Sequence, residues 1–282
     1  NEWTRRRAMR LMLERTAGGE FDAHELLTWE PYRKGFDSDE QEVTSANLAW
    51  LMLAMSHVLP ESFDAETIRR LLASRHEHTR GIAIRLLVAN TDLLTQLGQT
   101  LVDMSHMDSS PHVRMCLASS LQKLPFDSPI SLGAQIAAGL TIQSDDSVVP
   151  PLDPQLRRML WYGIEPNYLH YTQYSRMADT TLLHHYVRRW ASDWDQTRDA
   201  LSAELQKRSL QSHSASANEQ DLQIRQTAAF LDGILQGLCG RIRAEAPENW
   251  KLTAANLHQF NNPEINRVVS ELSVLFGDGT AR

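Results

Sequence analysis

Apolar residues recur along the chain at intervals of three and four. Thr79, Ile82, Ala83, Leu86 and Leu87 form one such stripe, the pattern that a helix buries along one face. Val113, Cys116, Leu117, Leu121 and Leu124 follow the same rule. So do Ile265, Val268, Val269 and Leu272, with Leu275 and Phe276 a turn further on. Longer helices are predicted over 42–57, carrying Leu48, Trp50, Leu51 and Leu53, and over 221–240, carrying Leu222, Ala228, Ala229, Leu231, Leu235 and Leu238. Alternating apolar and polar runs of strand length are nearly absent. Val148-Val149 runs into Pro150-Pro151, and proline removes the donors that a paired strand needs. The pattern predicts an all-α chain of roughly a dozen helices, each about 11–12 residues long.

Helix ends are legible as well. Ser110-Pro111, Asp153-Pro154 and Asn262-Pro263 each put a side-chain acceptor directly before a proline, which predicts N-cap followed by N1. Two stretches carry no helical pattern. Residues 144–153 are acidic and proline-rich, and 209–220 are rich in Ser, Gln and Asn. The second is read as a flexible loop or linker.

The chain also resembles itself. Residues 78–87 align with 112–121, so that His78 matches His112, Arg80 matches Arg114 and Leu87 matches Leu121. Thr4, Arg5, Ala8, Arg10 and Leu11 match Thr79, Arg80, Ala83, Arg85 and Leu86, and Pro263 and Ile265 echo Pro111 and Val113. The period lies between those of tetratricopeptide and HEAT arrays, and the tetratricopeptide Trp-Leu-Gly-Tyr pattern is missing. The expectation is a HEAT-like α-α superhelix, a helical-repeat solenoid in which neighbouring helix pairs share one core. It is expected to form a single domain over 1–282, regular over about 1–126 and less regular over 127–282. The competing architecture is an irregular helical bundle with a repeat-like half.

The same residues carry a family resemblance. The anchors are Asn1-Glu2-Trp3-Thr4-Arg5-Arg6-Arg7-Ala8, Leu48-Ala49-Trp50, the run from His76 to Leu87, and Ser110-Pro111-His112-Val113-Arg114. Asp153-Pro154-Gln155-Leu156 and Leu160-Trp161-Tyr162-Gly163-Ile164-Glu165-Pro166 complete them. In this order they resemble the HEAT-repeat helical region of large planctomycete and verrucomicrobial membrane-bound dehydrogenase proteins, which carry a c-type haem domain. The resemblance implies a longer parent exported to the periplasm or cell envelope. A β-propeller would precede this region, and a haem module with Cys-x-x-Cys-His would follow it. No cofactor is expected in this chain, because no position matches a catalytic or haem-ligating residue of that family. Residues 196–220 depart from the family pattern. The absence of an initiator Met fits the expectation of an internal piece.

Composition narrows the function classes. A net charge of -7 and a pI near 5.9 argue against a mainly electrostatic nucleic-acid binder. With only Cys116 and Cys239 present, a disulfide framework, a cysteine-rich zinc module and a Cys-x-x-Cys-His site in this chain are excluded. No apolar run reaches the roughly 18 residues that span a bilayer, and no apolar region follows Arg5-Arg6-Arg7 as a signal peptide requires. Direct membrane insertion is not expected. The expected partners are flanking domains of the same parent or another protein.

Candidate chemistry is sparse. His76-Glu77-His78 offers two imidazoles, but residues two apart on a helix do not face each other. His78 and His112 are better read as equivalent repeat positions used for capping or packing. His184 and His185 project about 100° apart on a helix, which argues against a shared metal. Arg5, Arg80 and Arg114 recur at one repeat position. They form either a basic ladder for an acidic partner or, as favoured here, ion pairs that hold successive repeats together. Gly233, Gly237 and Gly240 lack phosphate-loop spacing and are read as points of close helix approach. Cys116 and Cys239 are read as small buried hydrophobes. Trp161, Tyr162, Tyr168, Tyr171, Tyr174, Tyr186, Trp190 and Trp194 concentrate the aromatics between 161 and 194. They are read as core and docking face, with a carbohydrate- or peptide-binding surface as the alternative. Two functions follow: a non-catalytic scaffold or protein-interaction domain of a multidomain dehydrogenase, or a binding module using segment 161–194.

Overall fold

A computed structural model describes residues 2–20, 64–127, 131–141, 152–169, 177, 179–210 and 217–277. Among the described residues there are twelve α-helices and no strand. They are α1 (Glu2–Ala17), α2 (Ala65–Leu72), α3 (Glu77–Ala89), α4 (Thr91–Met107), α5 (Pro111–Ser120) and α6 (Leu132–Thr141). Then follow α7 (Pro154–Ile164), α8 (Thr180–Ser192), α9 (Trp194–Leu210), α10 (Ala217–Gly237), α11 (Trp250–His258) and α12 (Pro263–Leu275). The protein is all-α. The helix expected over 42–57 lies outside the described residues.

The predicted caps form. The Ser110 hydroxyl accepts from the Val113 N–H, the Asp153 carboxylate from Gln155 and Leu156, and the Asn262 side chain from Glu264 and Ile265. Each has proline at the helix start, where no N–H is needed. Asp64, Asn90 and Asp179 cap α2, α4 and α8 in the same way. The loop expected over 209–220 begins and ends in helix, because α9 reaches Leu210 and α10 starts at Ala217. Residues 211–216 lie outside the described residues.

The chain divides into two compact units, 1–125 and 126–282. In the first, α3 packs on α2, α4 and α5, and α4 also touches α2 and α5. Ile68, Leu71, Ile84, Leu87, Leu101, Val113 and Leu117 fill this core. In the second, α8 packs on α7, α9 and α10, α10 on α12, and α9 on α11, which in turn meets α12. Its core includes Leu160, Leu183, Tyr186, Trp194, Phe230, Leu231, Val268 and Leu272. In both units a helix meets not only its successor but the helix after that.

Small residues set the closest of these contacts. A Cβ on Gly233 would lie 2.9 Å from the His184 carbonyl oxygen. One on Gly237 would lie 2.5 Å from the Arg188 carbonyl oxygen and 2.6 Å from the Ala191 Cβ. These two glycines therefore let α10 lie directly on the backbone of α8. Gly240 does something else. It sits beyond the end of α10 with φ of +88° and no neighbour near its missing Cβ, so it serves as a left-handed turn residue. Helix α10 ends at Gly237, three residues before the predicted end.

Candidate functional site

The recurring arginines occupy one structural position. Arg80, Arg114 and Arg157 are each the fourth residue of their helices, α3, α5 and α7. Arg5 is likewise the fourth residue of α1, and its side chain lies outside the described residues. At this position the side chain leaves the first turn and reaches back over the helix entry.

Arg80 uses the position fully. Its Nε and Nη2 donate to the two oxygens of Asp108 at 2.8 and 3.1 Å, and Nη1 donates to the carbonyls of Ser74 and Arg75 at 2.8 and 3.0 Å. Asp108 closes α4, and its Oδ1 also accepts from the Ser110 N–H at 2.9 Å. The guanidinium thus ties the entry of α3 to the entry of α5. Arg157 repeats the arrangement in the second unit. Its Nε and Nη2 fork onto Asp179 at 2.8–3.1 Å, and Nη2 also donates to the Leu152 carbonyl at 3.1 Å. Asp179 is the N-cap of α8. Planar forks of this kind match carboxylate geometry, which lysine cannot do. Arg114 donates through Nη1 to the Ser105 carbonyl at 3.4 Å. Burial lowers the pKa of its guanidinium, and the Asp108 carboxylate acts in the opposite direction.

Arg157 was missed in the repeat alignment. The signal was present, because Asp153-Pro154 precedes Arg157 at the spacing by which Ser110-Pro111 precedes Arg114. The acidic partners Asp108 and Asp179 were also missed. They lie 28 and 22 residues away from their arginines, and no local pattern marks them.

The aromatic segment is mostly interior. Tyr168, Tyr186, Trp190 and Trp194 are buried, Trp161 is half-buried, and Tyr162 is 48% exposed. Tyr171 and Tyr174 lie outside the described residues. The buried hydroxyls are occupied. Tyr186 donates to the Tyr168 carbonyl at 2.6 Å, and the Tyr168 hydroxyl donates to the Asp193 carboxylate. The Arg189 guanidinium stands 4.4 Å above the Tyr168 ring and also pairs with Asp193 at 2.9 Å. The hydrogen bond from Tyr168 and the charge of Arg189 together hold the Asp193 carboxyl below its ordinary value. Burial, followed by that bond to Asp193, pushes the Tyr168 phenol up. The Trp194 indole N–H donates to the Glu245 carbonyl at 3.0 Å, and its ring stacks on Phe276 at 5.5 Å.

The histidines separate into packing roles. His76 is the N-cap of α3 and makes no capping bond through its side chain. His78 and His112 are ring to ring, with centroids 4.5 Å apart. His184 Nε2 lies 3.2 Å from the Asp232 carboxylate, whereas the neighbouring His185 ring faces Trp161 at 5.7 Å. No group of three or more His, Cys, Asp or Glu is placed to hold a metal ion among the described residues. Cys116 is buried as expected, and burial raises its thiol pKa. Cys239 is exposed, contrary to expectation. It follows the end of α10, next to Leu238, which is buried. No described helix is long and apolar enough to cross a membrane.

Compared with known proteins, the chain matches no family model, and no curated protein or solved structure matches it at a significant level.

Proposed function

We propose that this chain is a non-catalytic, HEAT-like helical-repeat scaffold within a larger dehydrogenase- or cytochrome-like protein. Its work would be to hold flanking domains of that parent, or another protein, in a fixed relation. The observation that carries this reading is the repeated arginine at the fourth helical position. Arg80 and Arg157 each fork onto an acid at the entry of a following helix while holding the carbonyls of their own. Such a device orders successive helices and leaves no charged group free for chemistry at that position. The packing of helices on their second neighbours, α3 on α5 and α8 on α10 on α12, supports the same reading. A c-type haem, on this view, belongs to another part of the parent.

The alternative, a carbohydrate- or peptide-binding module, has Trp161 and Tyr162 to work with among the described aromatics. The remaining described members of that segment have their polar tips engaged or their rings in the core.

Surface plasmon resonance tests the scaffold, with the chain immobilised and the regions flanking it in its gene passed over as separate proteins. Saturable binding of a flanking region is the expected result. Dye-linked dehydrogenase turnover by the isolated chain, or binding of oligosaccharides lost in Tyr162→Ala, would overturn it.

A further inference from the structure

The opening turns of α3 and α5 lie side by side. His78 is the second residue of α3 and His112 the second of α5. Their rings meet edge to face at 4.5 Å. The approach is close because residue 81 is glycine. A Cβ there would lie 2.8 Å from His112 Nε2 and 2.9 Å from Cys116 Sγ. His112 Nε2 is itself 3.7 Å from that sulfur.

The electrostatics around this pair disfavour positive charge. Both imidazoles sit in the first turn of a helix, where the macrodipole presents its positive end. Helix α3 brings Glu77, His78, Arg80 and Arg85 to bear on His112, so Glu77 is the sole counter-charge in that set. The Glu77 carboxylate is already bonded by the Ser110 hydroxyl. On the side of α4, Asp108 is forked by Arg80. On α5 itself, Arg114 is a further cation and Cys116 is held as the neutral thiol by burial. Burial and then His78 lower the pKa of His112 from its ordinary 6.5, with Arg85 and Arg80 adding to the shift and Glu77 opposing it.

We propose that the His78–His112 contact is a proton-sensitive latch on the packing of α3 against α5, closed when the His112 ring is neutral and loosened in mildly acidic solution. The sign follows from linkage. A histidine whose folded value lies below its unfolded one stabilises the fold fully above the unfolded value. That contribution is lost as pH falls through the folded value. His78 is exposed and His112 half-buried, which makes this a local loosening of unit 1. The inference is independent of the scaffold reading, since it concerns two helices within one unit and requires no partner.

Hydrogen exchange of the whole chain at about pH 7.5 and about pH 5, corrected for the intrinsic rate, tests it. Amides of α3 and α5 are expected to lose protection by about three- to tenfold at the lower pH. In His112→Gln that loss is expected to disappear, while α8 and α10 amides behave as in the unaltered chain. Should the variant fold poorly, NMR titration of the unaltered chain decides the matter. His112 is expected to titrate below 6.5 and to move up in His78→Gln. Equal protection at both pH values, or a His112 that titrates at or above its ordinary value, would overturn the latch.

Discussion

Asp179 serves four donors from three residues with two oxygens: the Leu182 N–H of its own helix, the Leu152 N–H, and the Nε and Nη2 of the Arg157 fork. Its side chain is 5% exposed, so it cannot exchange a lost partner for water at no cost. Arg157→Ala is expected to lower stability by about 1.5–3 kcal/mol, the range for hydrogen bonds to charged groups, measured by urea denaturation. The exposed pair between Arg69 and Glu66 gives the contrast, and Arg69→Ala is expected to change stability by less than about 1 kcal/mol. Tyr168 and Asp193 supply a pH signature. Because Asp193 is held below its ordinary value of 3.8 by Tyr168, its contribution is present above that value and lost as pH falls below it. Tyr168→Phe should lower stability near neutrality and flatten the acid limb of a Tm–pH curve. An unchanged acid limb would contradict the assignment.

At the scale of the element, the instructive pair is Gly237 and Gly240. Sequence spacing placed both in one helix and gave both the same role. Gly237 does meet α8, and Gly237→Ala would drive a methyl into the Arg188 carbonyl and the Ala191 side chain. Helix propensity alone favours the substitution by about 1 kcal/mol, whereas overpacking costs about 1–3 kcal/mol. A net loss of stability in thermal denaturation is therefore expected. Gly240→Ala meets open space and is expected to lose stability through its positive φ instead, by about 1–2 kcal/mol. The apolar period continues to Leu238, past the point where the backbone leaves the helix, so periodicity alone extended α10 too far.

For the molecule as a whole, charge sets the first constraint on partners. The chain has a net charge of -7, and among the described residues Arg80, Arg114 and Arg157, at the fourth helical position, are drawn into carboxylates and carbonyls. No saturable binding to duplex DNA is expected by fluorescence anisotropy at physiological salt, where nonspecific binders show micromolar or weaker affinity. Each of the two compact units has buried apolar residues of its own among the described residues, and in each the second-neighbour contacts are made by helices with a buried stripe of Ile, Leu and Val. The candidate site was half legible at this scale. The repeat alignment found Arg80 and Arg114, and the proline spacing that would have added Arg157 lay in the less regular half.

The sequence by itself determined what is decided within a turn or two. The apolar stripes made the chain helical. Ser110, Asp153 and Asn262 before proline marked three helix starts, because a cap bonds to residues only two or three positions away. Tertiary structure alone decided which acid receives each arginine, which tyrosine is buried with its hydroxyl bonded, and why Cys239 is exposed while Cys116 is not. Those outcomes depend on which helix face arrives from tens of residues away. Burial and charge pairing are properties of that meeting, and a period read along one strand of chain carries no information about it.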